Sequence, residues 1–384
     1  MNIIDIRKYK RKTSQSSREY IFNGYSICYR CSPLCIILSI LSGLLVVTIA
    51  TILLSVLLTR KNNNVITIYP EAVLRWNSTG ITIAGVVGQL GNASNQLNVP
   101  FGLAIDWSYT LYVADWSNHR VQKFLRNSSI GTTVAGQTIG SYNSTPNSLH
   151  YPGDVSVDWN GNIYVADTFN NRIQLWTSGS SAGIQIAGTG AVGNANNELN
   201  RPHGFARDPN TGILYISDTS NHRVMRYLPG ATTGDLVAGG YGSGTNNNQL
   251  YSPFGIYFDS PSNSLIIANG YANNIVRWTL GASTWTVVAG KMNGTSGNSS
   301  EELNLPMDVM LDPMGNIYVA DRLNHRIQFF APGQTNGTTI AGVTGISSTN
   351  AISLNTPMSL TLDSQLNLYV ADTFNSRVQM FARY

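Results

Sequence analysis

An all-β protein, one six-bladed β-propeller behind a single N-terminal transmembrane helix, is predicted by three observations on this 384-residue chain. A proline-led unit recurs six times, at Pro100, Pro152, Pro202, Pro253, Pro306 and Pro357, with spacings of 52, 50, 51, 53 and 51 residues. Charged side chains make up only 11% of the chain while Asn, Ser, Thr and Gly abound, which suits tight turns rather than solvated helices. One uncharged stretch runs from Pro33 to Thr59, and its Leu34–Leu58 core gives 25 mostly apolar positions where about 20 span a bilayer.

The chain divides accordingly into a basic tail (1–32), a signal-anchor helix (33–59), a linker (60–65) and the propeller (66–384). Eight of the 24 basic residues lie at or before Arg60, against only Asp5 and Glu19, so the propeller side from Lys61 onward carries 16 basic and 18 acidic residues. The basic pI therefore belongs to the tail and gives no cationic face for nucleic acid. Arg7, Lys8, Lys10, Arg11, Lys12, Arg18 and Arg30 precede the apolar stretch, which the positive-inside rule reads as a cytoplasmic N-terminus. A single-pass type II protein with an extracellular or lumenal propeller is expected. The apolar core is longer than that of a cleaved signal peptide and has no small-residue cleavage site.

All three cysteines, Cys28, Cys31 and Cys35, cluster at that boundary, positioned for S-palmitoylation and lacking a fourth ligand for zinc. Seven Asn-x-Ser/Thr sequons follow the anchor, at Asn77, Asn92, Asn127, Asn143, Asn293, Asn298 and Asn336. They agree with a glycoprotein domain on the non-cytoplasmic side.

Within each unit an Asp stands six residues after the Pro, then comes a four-residue apolar run such as Leu111–Ala114 or Ile317–Ala320. Uninterrupted apolar runs of this length read as strands covered on both faces. An Asp-x-x-Asn-x-Arg turn follows, then an alternating strand, then a strand ending in Ala-Gly, which makes four strands per unit. The last unit ends at Tyr384 after its third strand, while Ile81–Gly85 is a fourth strand with no unit before it. Pairing the two closes the ring and leaves no open edge. Ala72–Trp76 resembles a spare third strand without an evident place.

Asp115-Trp-Ser-Asn-His-Arg-Val-Gln122, Asp218-Thr-Ser-Asn-His-Arg-Val224 and Asp321-Arg-Leu-Asn-His-Arg-Ile-Gln328 resemble the NHL repeat, and the resemblance extends over Ile81–Tyr384. It implies the propeller fold, and functions as different as protein binding, RNA binding, extracytoplasmic sensing and a peptidyl-hydroxyglycine amidating lyase. Residues present in nearly every unit answer to architecture: Asp115, Asp167, Asp218, Asp321 and Asp372, with Arg120, Arg172, Arg223, Arg326 and Arg377, are expected to cap the turns and pair. His119, His222 and His325 share one turn position, with Asn171, Asn274 and Ser376 in the other units. Unit four departs most, with Asn269 for the Asp, Ile275 for the Arg and one extra residue between, either a decayed repeat or a specialised edge.

In the lyases that the repeat resembles, zinc is held by histidines, some of them directly after the repeat Pro. Here those positions are Phe101, Gly153, His203, Phe254, Met307 and Met358, so only His203 qualifies, with His150 in the loop before Pro152 as another histidine to inspect. One imidazole falls short of the three ligands of catalytic zinc, so no metal, cofactor or catalytic residue is expected. The favoured reading is a non-catalytic protein- or glycan-binding or scaffold module, tied to the lipid bilayer by one helix and without a nucleic-acid partner. The lyase, another propeller enzyme and an RNA-binding domain are the alternatives. Binding-face candidates are His203, Arg201, Arg207, Tyr142, Tyr151, Tyr241, Tyr251 and Tyr271, among amide-rich loops such as Gly85–Val99 and Gly136–Tyr151.

Overall fold

Each apolar run predicted as an inner strand is buried on both faces, as in Leu111–Asp115, Ile163–Asp167 and Leu368–Asp372. Each is the second strand of a four-stranded antiparallel sheet, and six such sheets form the ring. The computed structural model describes residues 74–138 and 140–384, together with the backbone of two short strands upstream. In blade one, Pro100–Ile105 lines the channel, Leu111–Asp115 and Arg120–Phe124 follow outward, and Gly131–Gly136 is outermost. Side chains of adjacent sheets fill the space between blades. Between the first two lie Tyr112, Ala114 and Val121 of one with Val155, Val165 and Trp176 of the next.

Ring closure follows the predicted pairing. Ile81–Gly85 hydrogen-bonds to Arg377–Phe381 in the register Arg377↔Gly85 and Val378↔Ala84, so the N-terminal strand completes blade six. Gly85 has φ +82° and a Cβ there would run into the Ser376 carbonyl, so this junction requires glycine. Trp76 settles the unplaced segment. It forms one bridge to Arg383, donates its indole N–H to the Leu366 carbonyl at 2.8 Å and packs edge-on against Tyr318 with ring centroids 5.6 Å apart. It is a buried plug between blades five and six rather than a fifth strand.

Upstream, Glu19–Phe22 pairs antiparallel with Tyr25–Cys28 inside the predicted basic tail, in a unit (Met1–Val73) distinct from the propeller unit (Leu74–Tyr384). The sequence between these strands is Asn-Gly, a strong hairpin signal that charge counting had passed over. Among the described residues no helix is long and apolar enough to cross a membrane. The predicted span at 33–59, the linker at 60–65, residues 66–73, Cys31, Cys35 and the side chain of Cys28 lie outside them.

Candidate binding face and central channel

Every repeat Asp lies at the start of a 3-10 turn whose last position is left-handed, and its carboxylate organises that turn. Asp115 receives the Arg120 Nε at 2.8 Å, the Asn118 amide at 2.8 Å and the backbone N–H of Asn98 at 2.7 Å. Arg120 spends its remaining donors on the carbonyls of Asn92, Ala93 and Gln96, so one buried ion pair pins the long loop entering the blade. The pairs Arg172–Asp167, Arg223–Asp218, Arg326–Asp321 and Arg377–Asp372 repeat this at 2.6–2.8 Å. Burial pushes the Asp115 carboxyl up to about 6 although Arg120 and the hydrogen bonds from Asn98 and Asn118 draw it down.

The left-handed residue then latches one blade to the next. His119 Nδ1 accepts the Tyr151 N–H, His222 Nδ1 that of Ser252 and His325 Nδ1 that of Thr356, each at 3.1 Å. Asn171 and Asn273 do the same through Oδ1 for Arg201 and Leu305. The residues so held precede the repeat prolines and carry positive φ, between 50° and 53°, a conformation that costs a side-chain-bearing residue energy. At the closing junction the latch is missing. The Ser376 Oγ is buried without a partner, and Val99, a β-branched residue at φ 57°, has no side-chain acceptor among the described residues.

Blade four corrects the predicted alignment. Asn269 pairs in register with Asn274, as Asp115 does with Arg120, and the left-handed residue is Asn273. There is no extra residue, and the Arg position is Asn274 rather than Ile275. In the other five blades a glycine (Gly80, Gly131, Gly183, Gly234, Gly337) donates its N–H to the entering loop, and here Trp285 does so to Asn247 at 2.8 Å. The Trp285 indole, buried to 2% exposure, donates Nε1–H to the Gln249 carbonyl at 2.7 Å. Gln249 is where the arginine of other blades would reach, so the Trp replaces the missing guanidinium and fills its volume. Blade four is a compensated repeat.

At the proline end the channel is closed by Phe101, His203, Phe254, Met307 and Met358. Around this plug the rings make a continuous belt. Tyr142 stacks on His150 at 4.4 Å, His150 meets Tyr151 at 5.1 Å and Tyr151 meets Trp116 at 5.2 Å. Trp116 stacks on Phe101 at 4.3 Å, Phe101 meets His203 at 5.0 Å, and His203 meets Phe254 at 5.1 Å. Phe254 contacts Tyr271, which contacts Tyr251. The structure thus brings together Tyr142, Tyr151, His203, Tyr251 and Tyr271. Arg201 lies over the Phe169 ring at 4.9 Å on the same face. Tyr241 is apart, 63% exposed beside Asn246, Asn247 and Asn248.

Arg207 does not join His203. Four residues on along a strand that rises ~3.3 Å per residue, it sits near the opposite end over the Tyr164 ring at 5.1 Å. Burial, and next the Arg322 charge, pull the His203 pKa down to about 3, so the imidazole is neutral. Sequence reasoning missed Trp116 and Arg322, which occupy the position after the repeat Asp where three blades have threonine and one glycine. Neither Arg201 nor Arg322 has a carboxylate partner among the described residues, and the Arg322 Nε is buried without an acceptor.

Beneath the plug a channel of about 470 Å³ opens at the other end of the ring. Asp154 and Asp308 face its inner part, at a position occupied by Gly or Ser in the other blades. Each bridges to the next blade: Asp154 accepts the Phe205 N–H at 3.1 Å, and Asp308 accepts the Leu360 N–H at 3.1 Å and the Ser359 hydroxyl at 2.7 Å. Burial raises both, Asp308 to about 6 and Asp154 well above the usual carboxylate range, with mutual repulsion adding to the latter. Among the described residues no three His, Cys, Asp or Glu side chains converge as a metal site.

Six four-stranded blades, a closing N-terminal strand and a recurring Asp/Arg turn network define a six-bladed β-propeller of repeat construction. The NHL repeat model matches residues 97–124, 149–175, 199–227 and 303–330, and the chain belongs to the NHL-repeat β-propeller family. It is similar to NHL repeat-containing protein 2 of Homo sapiens, 28% identical over 326 residues covering 70% of this chain and 44% of that protein. The chain thus spans less than half the length of that relative. It also resembles the probable peptidyl-alpha-hydroxyglycine alpha-amidating lyase pgal-1 of Caenorhabditis elegans, 28% identical over 141 residues, 36% of this chain and 39% of that one. A structural genomics protein of unknown function from Bacteroides thetaiotaomicron shares the fold, with a TM-score of 0.62, 15% identity, and coverage of 80% of this chain and 76% of that one.

Proposed function

We propose that the chain is a membrane-anchored, non-catalytic binding module, its propeller on the extracellular or lumenal side and its proline-end face taking a protein or glycan partner. The observation that carries this reading is the aromatic belt from Tyr142 to Tyr251 across the plugged channel mouth, flanked by Arg201 and Arg322, which have no carboxylate partner among the described residues. Rigid rings give contact area at little entropic cost, and unpaired guanidinium groups suit carboxylates or other anionic groups on a partner. All seven sequon asparagines are exposed, which is compatible with glycosylation. The slightly acidic charge of the propeller side argues against the RNA-binding alternative.

Proximity labelling from the full chain in cells tests the face: the triple substitution Arg201→Ala, Arg322→Ala, Tyr271→Ser should cut the labelling of a specific partner at least tenfold. Unchanged labelling refutes the site. The relatedness to a lyase favours one competing reading, and His203 is its residue here. The imidazole is surrounded by the Phe101, Trp116 and Phe254 rings, and among the described residues no three His, Cys, Asp or Glu side chains converge on it as a metal site. Stoichiometric zinc lost in His203→Ala, with turnover of a hydroxyglycine-ended peptide, would replace the binding-module reading.

A further inference from the structure

Two tryptophans project from the end of the ring opposite the plug, and neither the repeat nor the proline-end face explains them. Trp107 is 73% exposed and Trp159 76%, whereas Trp76, Trp176, Trp278 and Trp285 are buried. They occupy equivalent turns of blades one and two, directly after Asp106 and Asp158, where the other blades have Pro209, Ser260, Pro313 and Ser364. Between them lies a cleft of about 110 Å³. On the neighbouring turn of blade one, Leu125 is 59% and Ile130 56% exposed, and Arg126 stacks over the Tyr109 ring at 4.6 Å. The Asp106 and Asp158 carboxylates are engaged by N–H groups of their own turns, those of Ser108 and Thr110 and of Asn160 and Asn162.

We propose that this end of blades one and two rests on a lipid surface, with both indoles at the headgroup level. The proposal depends on the anchored reading above. Its second support is where the chain enters the ring: Trp76 bridges Arg383, and Trp76 bonds the Leu366 carbonyl, both at the end that carries Trp107 and Trp159. Only residues 60–73 separate the predicted span from Leu74, the first residue of the propeller unit, a tether of at most about 50 Å. The chain enters the ring at this end and not at the proline end. Indole rings with an apolar body and one N–H favour the membrane interface, and Arg75, Arg126 and Arg383 are exposed on the same end with long stems that reach phosphate groups.

The test uses the full chain reconstituted into phosphatidylcholine vesicles whose acyl chains carry bromine near the headgroup. Wild-type emission should be partly quenched, and the double substitution Trp107→Ser, Trp159→Ser should abolish the quenchable component while the protein still resists alkaline extraction. An anchored chain whose emission is unquenched overturns the docking and leaves the anchor intact. A chain released by alkali overturns both. Site mapping gives an independent check: Asn127 follows Arg126 directly and should carry no glycan when the membrane covers it, so a fully glycosylated Asn127 also overturns the docking.

Discussion

Restoring the consensus in blade four should reveal a strongly non-additive triplet. Trp285→Gly alone removes a side chain buried to 2% exposure and the indole bond to the Gln249 carbonyl. A buried Trp truncated to Ala costs about 3–5 kcal/mol, so a loss near 4 kcal/mol is expected. Asn269→Asp alone buries a carboxylate whose register partner is Asn274, and Asn274→Arg alone drives a guanidinium into volume held by Trp285. Each leaves an uncompensated buried charge, at about 3 kcal/mol or more. The triple variant rebuilds the Asp, Arg and Gly set of the other five blades and should come within about 2 kcal/mol of the parent. Urea unfolding of the four proteins measures this directly. Additivity of the three single effects to within about 0.5 kcal/mol would refute the compensation.

Ser376→Asn should stabilise the ring by about 1 kcal/mol, because an amide oxygen at that left-handed position can take the Val99 N–H as Asn171 and Asn273 do for their neighbours; an unchanged or lower urea midpoint contradicts this. Protonation of His119 breaks its latch, and burial with the His150 charge lowers its pKa from 6.5 to about 4. Its contribution is therefore full above about 6.5 and is lost as pH falls toward 4. His222 and His325 shift the same way, so replacing all three with Asn should flatten the urea midpoint over that range. Asp308 has the opposite sign: raised to about 6, its contribution is present at low pH and is lost as pH rises through 6, and Asp308→Asn should remove that component. Trp76→Ala should cost about 3–5 kcal/mol in a thermal or urea melt, since it empties the plug between blades five and six.

The six blades were readable because each signal is local and contiguous: a proline, an Asp six residues on, and an apolar run short enough to be a doubly covered strand. Closure was readable from what the last unit lacked. Blade four was misread because three positions changed together, and the third, Trp285, stands eleven residues beyond Asn274, where nothing in the chain ties it to the turn. The aromatic belt joins loops of different blades, so contacts such as Phe101–His203 and His203–Phe254 link residues that the sequence sets far apart. Asp154 and Asp308 were visible only as single departures at a Gly/Ser position, a signal that a six-way comparison of the second residue after each proline would have raised. The pairing of Arg207 with His203 failed on strand geometry, since proximity in sequence along an extended strand is distance in space.

The sidedness of the propeller is the claim on which both the binding face and the lipid-facing end depend, and one measurement addresses it. The full chain is expressed in cells and treated with a glycosidase and with protease, before and after selective opening of the outer membrane. The account predicts N-glycans on the proline-end loops, at Asn92, Asn143, Asn293 and Asn298, and a propeller that protease cannot reach from the cytosol. An unglycosylated chain whose 74–384 ring is cleaved from the cytosolic side would contradict it.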